Sequence, residues 1–426
     1  MQRKDLTPRL DPSMSFETRT SLSSQGSAGS ADPAVRGSNQ SGLRAYNERL
    51  VLSVIRQAGQ MPKAAVARLT GLSAQTVSVI MRALEDDGLL VRGAPVRGKV
   101  GQPSVPMGLA AEGAFFLGLK VGRRGSELLL CDFLGKVRAH RRKTHEHPTP
   151  DNAVAFANAA IGDFLAELPA ADAARVAGLG IALPFRMWDW QEATEPATAG
   201  LAAWRTRDIA AEIGASWAFP VYLCNDASAA CSAELVFGDH SAHSQPRDFL
   251  YVYIGYFVGG GLVLDDMLYT GKSGNAAALG SVPIVSQAGQ MCQLVDVASL
   301  VTLEEMLRRA GQQSAQIWAR NDDWAAQQTV LDAWLDQAAQ GLAQAIAASV
   351  CLIDFTTVLI DGSLPEDVRE ALIVRTRAAL ASLAMPGVER PDIRPGTVGF
   401  DAKALGAASL ALSDRFLVDR TAFLKG

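Results

Sequence analysis

The stretch from residue 61 to residue 88, MPKAAVARLTGLSAQTVSVIMRALEDDG, decides the organisation of the first part of this chain. Its spacing predicts a short helix over about 63–69, a turn at Gly71 and a second helix. Ser73 is expected to begin that second helix as N-cap, because its hydroxyl accepts a hydrogen bond from an unpaired backbone N–H. Two helices joined by a tight glycine turn are typical of the helix-turn-helix, whose second helix enters the major groove of DNA.

The second predicted helix has an apolar side and a polar side. Its apolar residues recur at helical spacing and are expected to face the core: Val77, Ile80, Met81 and Leu84. Side chains on the remaining surface can bond base edges or phosphates. The sequence therefore predicts DNA contacts in and around this helix at Lys63, Ser73, Gln75, Thr76, Ser78 and Arg82.

The residues that follow predict a basic wing. Residues 89–92 are expected to form a strand that pairs with 104–109, and the loop between them supplies three more predicted DNA contacts, Arg97, Lys99 and Gln102. Residues 44–107 carry nine Lys and Arg against four Asp and Glu, a formal charge of +5, whereas the whole chain carries −4. This concentration of positive charge favours DNA binding over the alternative, a three-helix module that merely shares the glycine turn.

Composition narrows the class of protein. A length of 426 residues suggests about three folding units, and a hydrophobic content of 48% is ample for buried cores. The five cysteines are scattered without a C-x-x-C pair, which is typical of reduced thiols. We find neither an apolar run of about 18–20 residues nor a secretory signal. We therefore expect no membrane partner and a cytoplasmic, nucleoid-associated location.

The chain divides into three predicted regions. Residues 1–42 are rich in Ser, Gly and Pro and are expected to form an unstructured tail, with a functional tail as the alternative. Residues 43–110 form the predicted winged helix-turn-helix domain. Over 111–426 strands alternate with helices in two blocks, which predicts two α/β lobes with functional groups at strand ends, in a cleft near 225–281.

An ordered set of motifs spans the chain from about Tyr46 onward. It comprises Gly101-Gln102-Pro103, the run 180–184 (GIALP), Trp204, the run 225–230 (NDASAA), Gly259-Gly260-Gly261, the run 271–275 (GKSGN) and the run 401–408 (DAKALGAA). In this order the chain resembles transcriptional regulators of the ROK family (repressors, open reading frames and sugar kinases). The resemblance implies an α/β fold, a winged helix-turn-helix followed by a two-lobed, actin-like sugar-kinase domain.

Three departures from the family's kinases concern nucleotide binding. Where those kinases carry Asp-x-Gly-Gly-Thr to hold phosphates and Mg²⁺, this chain has Lys120-Val121-Gly122-Arg123-Arg124-Gly125. The second phosphate loop contains Tyr256 and Phe257, and the adenosine-side Gly-Gly becomes Asp361-Gly362-Ser363. The resemblance then implies that ATP is not bound, and we expect no cofactor and no catalytic residue.

The family's structural zinc is not expected either. It takes a His from Glu-x-Gly-His and three Cys from a Cys-x-Cys-x4-Cys cluster, since tetrahedral zinc needs four ligands. Here the first motif is Ala278-Leu279-Gly280-Ser281, and Cys292 stands alone near the second. His240 and His243 form an H-x-x-H pair, for which we expect a polar surface turn rather than a metal site.

Asn225 and Asp226 are the main candidates for ligand binding. In a kinase of this family the Asp takes a proton from the sugar hydroxyl and the Asn bonds the sugar. With altered phosphate loops the acceptor role remains, and a helix cap is the alternative. The further candidates for ligand contacts are Arg186, Trp188, Glu195, Asn275 and Ser281.

Together these patterns predict a DNA-binding transcriptional regulator, a repressor that senses a sugar or sugar derivative. We expect a homodimer or homotetramer on an inverted-repeat operator, because two-fold proteins read two-fold sites. One alternative is an ATP-dependent sugar kinase with an appended DNA-binding module. Another is an inactive kinase that serves as a scaffold and responds to no small molecule.

Overall fold

The computed structural model describes residues 40–95, 104–187, 200–239, 246–319, 324 and 327–418. The N-terminal unit has three helices and three strands: α1 (Gln40–Ala58), β1 (Gln60–Met61), α2 (Lys63–Thr70), α3 (Ala74–Asp86), β2 (Leu90–Arg92) and β3 (Met107–Leu109). The strands pair antiparallel in the order β1-β3-β2. Helix α1 begins at Gln40, so it extends three residues into the segment predicted to be an unstructured tail. Residues 1–39 of that tail lie outside the described residues.

The helix-turn-helix forms as its sequence predicts. Gly71 follows α2 in the left-handed region with φ of 70°, a conformation that glycine adopts without steric strain. The Ser73 hydroxyl accepts a hydrogen bond from the backbone N–H of Thr76 at 3.1 Å. The four residues predicted to face the core are all buried: Val77, Ile80, Met81 and Leu84. The turn, the cap and the apolar side of α3 are confirmed.

The first lobe is a five-stranded sheet. It contains β4 (Phe115–Val121), β5 (Gly125–Asp132), β6 (Val137–Thr144), β7 (Val176–Leu183) and β8 (Val221–Asn225), in the order β6-β5-β4-β7-β8. Strands β4, β7 and β8 are parallel, while β5 and β6 are antiparallel to their neighbours. The helices of this part of the chain are α4 (Pro150–Glu167), α5 (Ala170–Ala173), α6 (Ile209–Gly214) and α7 (Asp226–Phe237).

The second lobe repeats this arrangement. Its sheet contains β9 (Phe249–Ile254), β10 (Gly259–Leu264), β11 (Met267–Tyr269), β14 (Thr357–Gly362) and β15 (Asp392–Pro395), in the order β11-β10-β9-β14-β15. A separate hairpin pairs β12 (Pro283–Val285) with β13 (Met291–Gln293). The remaining helices are α8 (Val295–Ala298), α9 (Leu300–Arg309), α10 (Gln328–Ile353), α11 (Glu366–Ser382) and α12 (Ala402–Phe416). The predicted two-lobed α/β architecture is confirmed.

Helices α7 and α12 form a layer between the two sheets, and glycines set their close approach. A Cβ added to Gly180 of β7 would lie 1.7 Å from the carbonyl oxygen of Ala407 in α12. A Cβ added to Gly406 of α12 would lie 1.6 Å from the carbonyl oxygen of Ala229 in α7. On the other side of α7, a Cβ added to Gly261 of β10 would lie 2.2 Å from the Cβ of Cys231. A side chain at any of these glycines would force the layers apart.

The N-terminal unit shares a hydrophobic core with this layer. A single buried cluster includes Ile55 and Val77 of the N-terminal unit, Phe133 after β5, Phe416 of α12 and Tyr251 of β9. The rings of Phe133 and Phe416 lie 4.9 Å apart between centroids. The core is therefore continuous from the helix-turn-helix through α12 to the second lobe.

Polar contacts at the same junction hold α1 against the first lobe. The Arg56 guanidinium donates a hydrogen bond to the Phe133 carbonyl at 2.5 Å and lies 5.2 Å from the centroid of that ring. Burial lowers the pKa of Arg56 to about 10. Just after α12, the backbone N–H of Val418 donates to the Ser53 hydroxyl at 3.1 Å. Helix α1 is thus joined to both the β5–β6 turn and the end of α12.

Within the described residues, no single helix is long and apolar enough to cross a membrane. Helices α2 and α3 pass that test of length and composition only when taken together, and they are bent by 117° at the break between them.

The glycine packing generates the first prediction. Gly406→Ala places a methyl group against backbone that cannot rotate away, so we expect a loss of about 3 kcal/mol or more in the free energy of unfolding. The matched control is Gly162→Ala in α4, where no atom lies within 4 Å of the added Cβ. That control should gain about 0.5–1 kcal/mol from helix propensity. Urea unfolding of both variants measures the difference, and equal stabilities would contradict the packing described above.

Candidate functional site

The exposed side of α3 presents a ridge of four residues. With 3.6 residues per turn, Gln75, Val79, Arg82 and Asp86 lie directly opposite the buried side, and all four are exposed. We call these four residues the α3 ridge. Two of them, Gln75 and Arg82, were predicted from the sequence. Val79, which is 57% exposed, was missed because its apolar side chain carries no hydrogen-bonding group.

Two other predicted contacts of α3 flank this ridge. Thr76 and Ser78 are half-buried, and the hydroxyl of Thr76 lies 2.8 Å from that of Ser73. The Ser73 hydroxyl also caps the helix, so part of the hydrogen-bonding capacity of both hydroxyls is used within the protein. At the start of α2, Lys63 is half-buried. Gln75 and Arg82 are thus more accessible to a ligand than the flanking residues.

The wing strands pair as predicted, and an ion pair connects them to α3. Strands β2 and β3 are antiparallel neighbours. The Arg92 guanidinium of β2 donates to both carboxylate oxygens of Glu85 in the last turn of α3, at 2.6 and 3.1 Å. The loop residues predicted to contact DNA, Arg97, Lys99 and Gln102, lie outside the described residues.

Asn225 stands where β8 ends and α7 begins. Its side-chain oxygen accepts hydrogen bonds from the backbone N–H groups of Ala227 and Ser228 at 3.0 and 3.3 Å. This is the helix-cap arrangement, the alternative left open for this residue by its sequence. The amide oxygen of Asn225 is therefore engaged within the protein.

Asp226 forms an ion pair that the sequence did not predict. Its carboxylate oxygen Oδ2 accepts a hydrogen bond from the Lys403 ammonium in the first turn of α12. The two side chains are only 13% and 12% exposed. The same ammonium lies 4.6 Å from the ring centroid of Tyr253, whose hydroxyl is 3.1 Å from that of Ser363. Both lobes thus contribute to this site, which we call the Asp226–Lys403 pair.

The pair restricts the chemistry that Asp226 can perform. The Lys403 ammonium occupies Oδ2 of Asp226 through a hydrogen bond, so a ligand at this carboxylate would meet the other oxygen, Oδ1. Hydrogen bonding to a ligand hydroxyl through the other oxygen is compatible with the pair.

Side chains from the turn between β4 and β5 contact the second lobe at α9 and at the loop between β9 and β10. Arg124, in the turn between β4 and β5, donates to Glu304 of α9 at 3.2 and 3.3 Å. Its guanidinium lies 4.6 Å from the centroid of Trp318, which stacks on Tyr256 at 5.6 Å. The neighbouring Arg123 lies 5.8 Å from the ring of Tyr256. We call this group the interlobe contact.

The end of β14 is held by polar contacts within the protein. Asp361 is fully buried and accepts hydrogen bonds from the Tyr251 hydroxyl at 2.8 Å and from the Gly399 N–H at 2.9 Å. Arg369 pairs with the same carboxylate at 3.1 Å. This carboxylate therefore holds β14 against β9 and the segment before α12.

Three of the remaining predicted ligand residues are exposed, two on loops and Ser281 at the end of a short 3-10 helix. Arg186, Asn275 and Ser281 are all exposed. Phe185, next to Arg186, lies against Gly274, so the loops that carry Arg186 and Asn275 face each other. Trp188 and Glu195 lie outside the described residues.

One group of described residues has the spacing of a metal site. Ligand atoms of Glu127, His140 and Asp401 lie within 4.8 Å of one another. Arg142 lies 3.5 Å from Glu127 and 3.9 Å from Asp401, and Lys120 lies 3.8 Å from Glu127. These cations already compensate both carboxylates and oppose a metal ion. The H-x-x-H pair of His240 and His243 lies outside the described residues.

Comparison with known families gives two matches that together cover most of the chain. The profile of the ROK family matches residues 116–414. A profile described as winged helix-turn-helix DNA-binding matches residues 44–91. The first match contains both lobes and the Asp226–Lys403 pair, and the second contains α2, α3 and the α3 ridge.

Individual relatives include regulators and an enzyme. The chain is 25% identical to the uncharacterized protein y4fQ of Sinorhizobium fredii, over 88% of this chain and 93% of that protein. It is 23% identical to the xylose repressor of Bacillus subtilis, over 58% and 62% respectively. It is 31% identical to the bifunctional enzyme NanE/NanK of Brucella melitensis, over 47% and 36%. The last two alignments span less than two thirds of those proteins.

A solved structure shares the fold. The crystal structure described as a ROK family transcriptional regulator, homolog of the E. coli MLC protein, aligns over 88% of this chain and 98% of its own. The TM-score is 0.62 and the sequence identity is 20%. At this identity the likeness supports the fold of the chain rather than any activity.

The second prediction concerns the Asp226–Lys403 pair. Lys403→Met leaves a buried carboxylate without its partner and should lower the free energy of unfolding by about 3–5 kcal/mol. The double variant Asp226→Leu/Lys403→Met replaces both charges with apolar groups and should recover most of that loss. Urea unfolding of both single variants and the double variant gives the coupling energy.

A solvent-exposed ion pair provides the control. Arg247 pairs with Asp265 at 3.0 Å, with side chains 61% and 73% exposed. Arg247→Met should change stability by less than about 1 kcal/mol, because solvent screens this pair. Strictly additive effects at Asp226 and Lys403 would show that the two side chains do not interact.

Proposed function

Because the chain belongs to the ROK family and also carries a winged helix-turn-helix domain, we propose that it is a DNA-binding transcriptional repressor that senses a sugar or sugar derivative without phosphorylating it. The observation that carries this proposal is the continuous core between the helix-turn-helix and α12, since α12 also supplies Lys403 to the interlobe site. One element thus contacts both the proposed DNA-reading unit and the proposed effector cleft.

The charges of α3 favour a defined orientation on DNA. The helix N-terminus carries a partial positive charge, which suits the phosphate backbone. At the other end, Asp86 and Asp87 are exposed and would be repelled by phosphates. In our proposal the part of α3 from Gln75 to Arg82 therefore enters the major groove. Two such units reading an inverted repeat require a homodimer or homotetramer.

The effector cleft offers groups suited to hydroxyls. In this proposal the second oxygen of Asp226 accepts a hydrogen bond from a sugar hydroxyl and the amide of Asn225 donates one. The exposed side chains of Arg186, Asn275 and Ser281 are further candidates for contacts. The name of the xylose repressor, a protein similar to this chain, supports a sugar as effector. We propose that the sugar binds at the Asp226–Lys403 pair and changes how the lobes close on it.

A sugar kinase is the second candidate function, and the match to the bifunctional enzyme NanE/NanK favours it. Three features of this chain argue against phosphoryl transfer. Lys403 pairs with Asp226, the residue that would act as the base. The interlobe contact involves both segments that the resemblance assigns to phosphate loops, and Asp361 forms internal hydrogen bonds in the segment that the resemblance assigns to the adenosine-side Gly-Gly. Catalysis of phosphoryl transfer depends on groups that hold and neutralise the phosphates.

The proposed coupling between the sites follows α12. This helix has 15 residues and is about 22 Å long. Lys403 lies in its first turn at the cleft, and Phe416 at its end packs on Phe133 beside Arg56 of α1. A change in lobe closure that moves α12 would move α1 and alter the spacing of paired recognition helices. Since DNA is the proposed ligand, we place the working protein at the nucleoid in the cytoplasm.

The third prediction tests the function directly. Duplexes selected from a random library by the full chain should share one inverted repeat and bind it more tightly than unselected duplexes. Gln75→Ala and Arg82→Ala should each weaken that preference by about 1–3 kcal/mol, because each removes a base contact.

A panel of pentoses and hexoses should contain a sugar that changes the affinity of the protein for its operator, and Asp226→Asn should remove this response to the sugar.

The same preparation distinguishes the two candidate functions. Asp226→Asn is the appropriate variant because it keeps a hydrogen-bonding partner for the buried ammonium of Lys403, which Asp226→Ala would leave unpaired. Incubation with ATP and the same sugars should yield no sugar phosphate. Phosphorylation that depends on Asp226, or failure to select any DNA sequence, would contradict the proposal.

A further inference from the structure

Val79 occupies the middle of the α3 ridge, where an apolar side chain has no role in the fold. It is 57% exposed, while the core side of α3 is complete without it. We propose that Val79 reads the 5-methyl group of a thymine in the major groove, one turn after Gln75 reads an adenine. This inference rests on the proposed DNA binding and specifies which bases the protein selects.

The spacing on α3 suits two neighbouring base pairs. Gln75 and Val79 are four residues apart, so their Cβ atoms are separated by about 5–6 Å along one side of the helix. Successive base pairs are about 3.4 Å apart, which brings neighbouring base edges within reach of these two side chains. Glutamine bonds adenine through two hydrogen bonds, to N6 and N7. The pair therefore fits two adjacent A·T base pairs.

The chemical groups on the base edges determine which of them an apolar side chain such as Val79 can contact favourably. Hydrogen-bond donors and acceptors dominate the edges of bases in the major groove, and the thymine methyl is the apolar group among them. A valine cannot bond the donors and acceptors, and placing it against them leaves polar groups unpaired. Contact with a methyl group removes apolar surface of both partners from water.

Other exposed apolar residues of the N-terminal unit lie on different elements. Leu69 on α2 is 60% exposed, and Val91 on β2 is 49% exposed. Neither belongs to the α3 ridge, which also carries Gln75 and Arg82. Leu69 therefore provides a matched control, since it is an exposed apolar side chain of the same unit on the neighbouring helix.

The test replaces thymine with uracil, which lacks the methyl group. The full chain first selects a duplex from a random library, and each thymine of the selected site is then replaced singly by deoxyuridine. Wild-type protein should lose about four-fold in affinity at one position of each half-site, equivalent to about 0.8 kcal/mol for a buried methyl group. Val79→Ala should bind thymine and uracil duplexes equally at that position. Leu69→Ala should retain the four-fold difference.

The outcomes separate this inference from the proposed function. If wild-type protein binds a selected duplex but tolerates uracil at every position, the role of Val79 is wrong and DNA recognition stands. If Val79→Ala still distinguishes thymine from uracil, another residue reads the methyl group and the inference is again overturned. If no sequence can be selected at all, the proposed function fails with it. Circular dichroism confirms that each variant retains its helices.

Discussion

The close packing of α7 and α12 between two sheets is the constraint on which the rest of the molecule depends. Backbone atoms of the two helices approach each other at Gly406, and α12 meets the first sheet at Gly180. Because the helices begin side by side, their first turns bring Asp226 and Lys403 together across 177 residues of sequence. The same packing places the end of α12 beside α1, where Phe416 contacts Phe133 and Phe133 contacts Arg56. The arrangement of the layers therefore positions both the cleft and the helix-turn-helix.

In our proposal the cleft binds a sugar on a ROK scaffold without transferring a phosphoryl group to it. Phosphate loops hold anions through free backbone N–H groups, and such a loop must be open to its ligand. In this chain Arg124 instead pairs with Glu304 and stacks on Trp318, which joins the lobes through side chains. Cation–π contacts and a partly exposed ion pair contribute modestly, and a ligand that changes lobe closure can break or re-form them. These features suit a protein whose lobes respond to binding rather than transfer a phosphoryl group.

Local patterns predicted the helix-turn-helix and the alternation of strands and helices that forms the two lobes, because caps, glycine turns and periodicity act over a few residues. Contacts between residues far apart in the sequence could not be predicted from local patterns. Lys403 stood out in the sequence only as part of the motif 401–408, and Arg124 and Glu304 are 180 residues apart. Val79 was not predicted as a contact for a different reason. An apolar side chain on the polar side of a helix has no hydrogen-bonding group from which a contact with DNA could be predicted. For Asn225 the sequence left two roles open, and the structure shows the capping role.

We propose that one chain links a sugar in the cleft to DNA at α3, and thermodynamic reciprocity tests this link most directly. A sugar that changes operator affinity by some factor must have its own affinity changed by the same factor when the operator is bound. Calorimetric titration of the full chain with that sugar, with and without the operator duplex, measures the change in sugar affinity. Titration with the operator duplex, with and without the sugar, measures the change in operator affinity. We expect equal factors of about five-fold or more, the usual range of allosteric coupling. A sugar affinity that is the same in the presence and absence of operator would contradict the proposed link.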